Sequence, residues 1–181
     1  MEDGPKVVVK YFGYGSNKDL DMMAHMVGRR DLKGEPGKLL GYELCIQKLE
    51  QIRDSYPVSP REIIRKGFGD EFELFIARQK GGSVIYGTIW YLTLDEIELV
   101  KNWELVDLGM QEEVEAKAID SKQSEITVET QAVINPPPGI DRVVTDPDYD
   151  PYIVDKRKML TIADRVREDF LKQKTSAVKI N

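Results

Sequence analysis

The stretch Lys10-Tyr11-Phe12-Gly13-Tyr14-Gly15-Ser16-Asn17 closes the first hydrophobic run of the chain and opens the next element. Val7, Val8 and Val9 are β-branched and, with Tyr11 and Phe12, predict a buried strand. Gly13 and Gly15 stop it. Leu20, Met22, Met23 and Met26 then recur at helical spacing behind Ser16 and Asn17, two residue types suited to capping a helix. A strand, a glycine turn and a helix start aim several backbone N–H groups at one spot, and glycine lets a ligand approach the main chain. Two readings follow: an anion-binding turn for a carboxylate or oxyanion, or a strand-to-helix connection that binds nothing.

Composition bounds both. A chain of 181 residues, 41% hydrophobic, can bury a substantial core. It predicts one domain over 1–181, with 1–5 and the polar tail 172–181 frayed. Net charge is −6 and the basic residues are scattered, with Lys156-Arg157-Lys158 reading as a solvated helix face, so no nucleic-acid footprint is present. The one cysteine, Cys45, lies in an apolar stretch and suits a reduced compartment. No apolar run approaches membrane-spanning length, and Met1-Glu2-Asp3-Gly4-Pro5-Lys6 is unlike a signal peptide. These features predict a cytoplasmic protein without nucleic-acid or membrane partners.

The stock of catalytic side chains is small. His25 is the only histidine, set among Met22, Met23 and Met26, where a packed or half-exposed role fits best. No cysteine pair exists, the glycine turn does not match the dinucleotide fingerprint, and no P-loop lysine follows it. The expectation is no metal and no cofactor, which leaves proton transfer to a carboxylate or a tyrosine.

Further along, Gly34-Glu35-Pro36-Gly37 marks a loop, Lys38 to Leu49 a strand, and Arg61–Arg65 a short helix in a Pro-rich loop. Glu71 to Arg78 alternates as a strand, Gly81-Gly82 turns the chain, and Val84 to Leu92 is the strongest strand, with Gly87 marking a bulge or a close backbone approach. Thr93 and Glu96 form a capping box for a helix from Leu94. Glu104 follows Ile97 and Val100 at i+7 and i+4, on the core-facing stripe, where a desolvated carboxylate is costly unless paired or functional. Equally, the helix can end there and leave Glu104 in solvent. Met110 to Ile119 and Glu125 to Ile134 predict a hairpin, and Pro151 opens a last helix to about Leu171.

Three of these pieces resemble one family. Tyr11-Phe12-Gly13-Tyr14-Gly15-Ser16-Asn17 is similar to the opening signature of the γ-glutamylcyclotransferases, Tyr-Gly-Ser-Asn after a strand. Val84 to Trp90, followed by Trp103-Glu104-Leu105-Val106-Asp107-Leu108-Gly109-Met110, resembles the second signature, in which a helix ends in the catalytic glutamate. Pro151-Tyr152 looks like the segment that closes the substrate pocket, with Tyr149 competing for that place. The resemblance implies an α+β fold, a small mixed β-barrel surrounded by helices. It selects the inward-facing reading of Glu104 as general acid/base. It also implies substrate contacts from Tyr11, Gly13, Tyr14, Gly15, Ser16, Asn17 and Tyr152. Two departures stand out: Leu105 where the family commonly has glycine, and Gln111 where it has an aromatic.

The implied chemistry suits the side chains present. The α-amine of a γ-glutamyl compound attacks its own γ-carbonyl, giving 5-oxoproline and the free amine, so positioning supplies much of the rate. One base and a set of oxyanion donors complete the requirement. The expected partner is a small-molecule γ-glutamyl substrate, for a monomer or homodimer of a glutathione-metabolism type of acyltransferase. A second class stays open: a lapsed relative that binds a small carboxylate or amide as a sensor.

Overall fold

The computed structural model describes residues 6–180; residues 1–5 and 181, and the fraying expected of them, lie outside the described residues. Val8–Gly13 forms β1, which runs antiparallel to the end of the long strand β3 (Glu73–Thr93), with Tyr11 opposite Trp90 and Gly13 opposite Thr88. On its other side β1 meets β5 (Glu125–Ala132) in parallel at Tyr11 and Glu129. β5 forms the expected hairpin with β4 (Glu112–Ile119), β4 pairs with β2 (Gly34–Lys48), and β2 lies against β3 along its length. The order β3-β1-β5-β4-β2 therefore returns to β3, closing a five-stranded mixed barrel with none of its strands left as a free edge. The two-residue β6 (Val143–Val144) covers β2 at Leu44 and Cys45.

Four helices surround the barrel: α1 (Leu20–Val27), α2 (Pro60–Phe68), α3 (Leu94–Trp103) and α4 (Lys156–Ile180). Strand alternation divides the core. Phe12, Leu39, Ile85, Ile89 and Val128 belong to a cluster drawn mainly from strand residues, whereas Tyr11 and Trp90 face Met22, Met23, Met26 and Val100 in a cluster shared with the helices. His25 packs at the α1–α4 contact, its Nδ1 2.9 Å from Asp164 Oδ1. Among the described residues no helix is long and apolar enough to cross a membrane.

Four local expectations change. β2 starts at Gly34 because Gly34 and Gly37 are packing glycines: a Cβ there would stand 2.5 Å from the Trp90 ring and 2.6 Å from Ile89 Cδ1. Gly81-Gly82 does not reverse the chain. β3 continues through it, and the extra residues form a bulge opposite Gly41, between the pairs Tyr42–Gln79 and Leu40–Val84. Ser16 and Asn17 do not cap α1; they lie in a single 3-10 turn (Gly15–Lys18), and α1 starts at Leu20. The last helix begins at Lys156, not Pro151, because Asp155 accepts the Lys158 N–H at 2.8 Å, and it runs past Leu171 to Ile180.

Candidate active site

The turn after β1 is held from behind by β3. Trp90 Nε1 donates to the Asn17 carbonyl at 2.8 Å and the Thr88 hydroxyl donates to the Lys18 carbonyl at 2.8 Å. A Cβ on Gly13 would sit 2.2 Å from the Asn17 carbonyl oxygen, so only glycine lets the turn fold back this tightly. Two amides expected to face a ligand are already used: Gly15 N–H donates to the Tyr149 hydroxyl at 2.9 Å, and Asn17 N–H to the Tyr14 carbonyl at 3.2 Å. Half-buried Ser16 stands between them.

Glu104 arrives at this turn on the end of α3. The Thr93–Glu96 capping box starts that helix as expected, and the Glu104 N–H donates to the Val100 carbonyl at 2.9 Å, so the residue completes the last turn. Leu105 then adopts a left-handed conformation (φ 52°) that turns the chain away. It occupies the position where the family pattern has glycine, and its side chain packs on the helix-side core.

A closed ring of buried polar groups holds the carboxylate. Asn17 Nδ2 donates to Glu104 Oε1 at 2.7 Å and to the Tyr11 hydroxyl at 3.0 Å; Tyr11 in turn donates to Gln131 Oε1 at 2.9 Å. The Tyr14 hydroxyl lies 2.7 Å from the Gln131 carbonyl and 3.0 Å from Gln111 Oε1, and Gln111 Nε2 closes the ring on Glu104 Oε2. Tyr11, Asn17, Gln111 and Gln131 are all under 5% exposed, so the ring lies in a low-dielectric surround. Burial pushes the Glu104 carboxyl up to about 7, against the lowering effect of the Asn17 and Gln111 hydrogen bonds. Burial, and then the charge of Glu104, push the Tyr11 and Tyr14 phenols well above their usual range. They remain hydroxyl donors. The Asn17 Oδ1 atom, also buried, has no hydrogen-bond partner among the described residues.

Tyr11, Tyr14, Gly15, Ser16, Asn17 and Glu104 line one cavity of about 450 Å³. Gly13 and Tyr152 do not. Gly13 lies behind the turn, in the β1–β3 ladder. Tyr152 is drawn to the helix side, where its hydroxyl donates to Asp19 Oδ2 at 2.5 Å and its ring packs on the helix-side core. Tyr149 is the tyrosine that reaches the turn: its hydroxyl accepts from Gly15 and donates to the Tyr86 carbonyl at 3.0 Å. It braces the turn without lining the cavity. Gln131 escaped the sequence reading, although consecutive burial of Thr130, Gln131 and Ala132 interrupts the β5 alternation. Gln111 stood out only as a departure, and its place on the carboxylate depends on the fold. Among the described residues no three His, Cys, Asp or Glu side chains gather as a metal site.

Barrel, glycine turn and helix-borne glutamate together define a γ-glutamylcyclotransferase-like fold. Among solved structures the chain is similar to a gamma-glutamyl cyclotransferase, with 15% identity over 90% of this chain and 81% of that one and a TM-score of 0.56. It is also similar to a Homo sapiens protein described as uncharacterized, with 18% identity over 87% and 79% of the two chains and a TM-score of 0.54. No protein-family model and no curated protein matches the chain. At such identities the likeness is one of fold.

Proposed function

We propose that the chain cyclises γ-glutamyl amides to 5-oxoproline with Glu104 as general acid/base. The substrate α-nitrogen forms a bond to the γ-carbonyl carbon as the bond from that carbon to the leaving nitrogen breaks. The attacking ammonium loses two protons and the leaving amine gains two, so the reaction is proton-neutral. Glu104 carries the first from one nitrogen to the other. The observation that carries this reading is the carboxylate itself, buried at the wall of a cavity and held by neutral amide donors, a setting that pushes it up to about 7. The partnerless Asn17 Oδ1 beside it suits an ammonium donor, and Ser16 is the member of the turn best able to meet the glutamyl carboxylate or the oxyanion.

One observation favours the sensor reading: Gly15 and Asn17 have already spent their amides, which leaves the turn fewer donors than an anion site of that length offers. One assay separates the two. Incubation with a panel of γ-glutamyl compounds should release 5-oxoproline, and Glu104→Gln should lower the rate by about 100-fold or more with the circular dichroism spectrum unchanged. Equal rates for the two proteins, or no release from any compound, would end the cyclotransferase reading.

A further inference from the structure

The cavity extends beyond the polar ring, and most of its lining there is apolar. Trp103 and Leu105 flank Glu104 in sequence and line the cavity with it, so the apolar wall begins at the carboxylate. It continues through Phe68, Phe72, Met110 and Ile162, contributed by α2, the loops that lead into β3 and β4, and α4. Phe68 is its centre: its ring lies 4.5 Å from that of Phe72 and 6.3 Å from that of Trp103, the latter at 81°. Such a wall offers both faces and edges to an apolar or aromatic group.

Charge is confined to the margins. Besides Glu104, the charged residues on the wall are Lys66, Glu73, Arg165 and Asp169. Glu73 is bound to Arg142, and Lys66, Arg165 and Asp169 are exposed to solvent. An amino-acid leaving group carries a carboxylate one carbon from the departing nitrogen. Beside the departing nitrogen that charge would lie against Trp103 and Leu105, which flank Glu104, whereas the wall's cations, Lys66 and Arg165, are solvent-exposed; its desolvation there is costly. An uncharged hydrocarbon in the same place removes apolar surface from water on both sides. A cavity of about 450 Å³ also falls in the range that encloses ligands larger than a glutamyl unit.

We propose that the leaving amine is bulky and apolar, with no charge near its nitrogen, and that the Phe68–Phe72–Trp103 wall selects it. This inference rests on the cyclotransferase reading, since it names the amine which that reaction releases.

The test compares γ-glutamyl-2-phenylethylamide with γ-glutamylethylamide and γ-glutamylalanine. The two simple amides release amines of similar basicity, so a rate difference between them reflects contact. The expected result is a kcat/KM for the phenylethylamide about tenfold or more above each of the others. Phe68→Ala should shrink that ratio by about tenfold, and Phe68→Leu should restore most of it. The ratio within one preparation does not depend on how much of the variant is folded. Calorimetry on the Glu104→Gln variant should show the phenylethylamide binding more tightly than γ-glutamylalanine. Turnover of all three at similar rates, or a preference for γ-glutamylalanine, overturns the inference and leaves the cyclotransferase reading standing. Absence of turnover and binding for all three overturns both.

Discussion

Glu104 takes hydrogen bonds from two neutral amides, with no cation among its hydrogen-bond partners, and this sets how it titrates. If it is the base, kcat/KM should rise through pH 7 to a plateau, because that profile reads the free enzyme. Gln111→Leu removes a donor that favours the ionised form. The rising limb should therefore move to higher pH in that variant, as a pH–rate profile would show. Stability carries the opposite sign from an ordinary carboxylate. The folded value, about 7, lies above the ordinary 4.5, so below 4.5 the group is neutral in both states and costs nothing. Between the two values the folded state holds the extra proton. Stability falls there by roughly 1.4 kcal/mol per pH unit, and the loss is complete above 7. Thermal melts of Glu104→Gln and the parent protein should agree most closely near pH 4 and diverge in favour of the variant at pH 8. Nearby, Leu105 keeps a left-handed backbone that costs a non-glycine residue about 1 kcal/mol, offset by its apolar packing.

At the scale of elements, glycines separate what the sequence displayed from what it hid. Gly87 in mid-strand signals a close approach, and a Cβ there would lie 2.3 Å from the Gly13 carbonyl oxygen and 2.8 Å from the Phe12 ring. Gly87→Ala should thus destabilise by about 1–3 kcal/mol or more, whereas Gly81→Ala, opening into empty space, should stay within about 1 kcal/mol. Urea melts of the two variants would decide it. The α3 capping box and the β4–β5 hairpin were legible because their signals are local, a Thr–Glu pair and an alternation broken by polar turn residues. Gly34, Gly37 and Gly81-Gly82 misled for one reason. A glycine that makes room for a distant Trp90 or Ile89, or relaxes a bulge, looks in sequence like a glycine that turns the chain.

At the scale of the whole molecule, the motif residues converge but their supports do not announce themselves. Tyr11, Asn17 and Glu104 could be picked out through the resemblance to the γ-glutamylcyclotransferase signatures, since the helical stripe alone left Glu104 open between core and solvent. Gln131 and Gln111 could not, since their value lies in bonds to residues 120 and 7 positions away, fixed by barrel closure and by the Leu105 turn. Tyr149 and Tyr152 were distinguishable only once Asp19 and the Gly15 amide were in place to take their hydroxyls. Barrel closure also bears on how the chain is born. During synthesis Asn17, Glu104 and Gln111 emerge before Gln131, so for a time the ring lacks the residue that links Tyr11 to Tyr14, and the barrel is open. Until β5 is in place, β1 and β4 each keep an unpaired edge and the interior between them stays exposed. β5, wedged between β1 and β4, acts as the keystone. Chains released after Ser124 should show no cooperative thermal transition, whereas chains released after Ile180 should melt in one step. In this protein the strand that closes the barrel is also the one that completes the ring around the carboxylate.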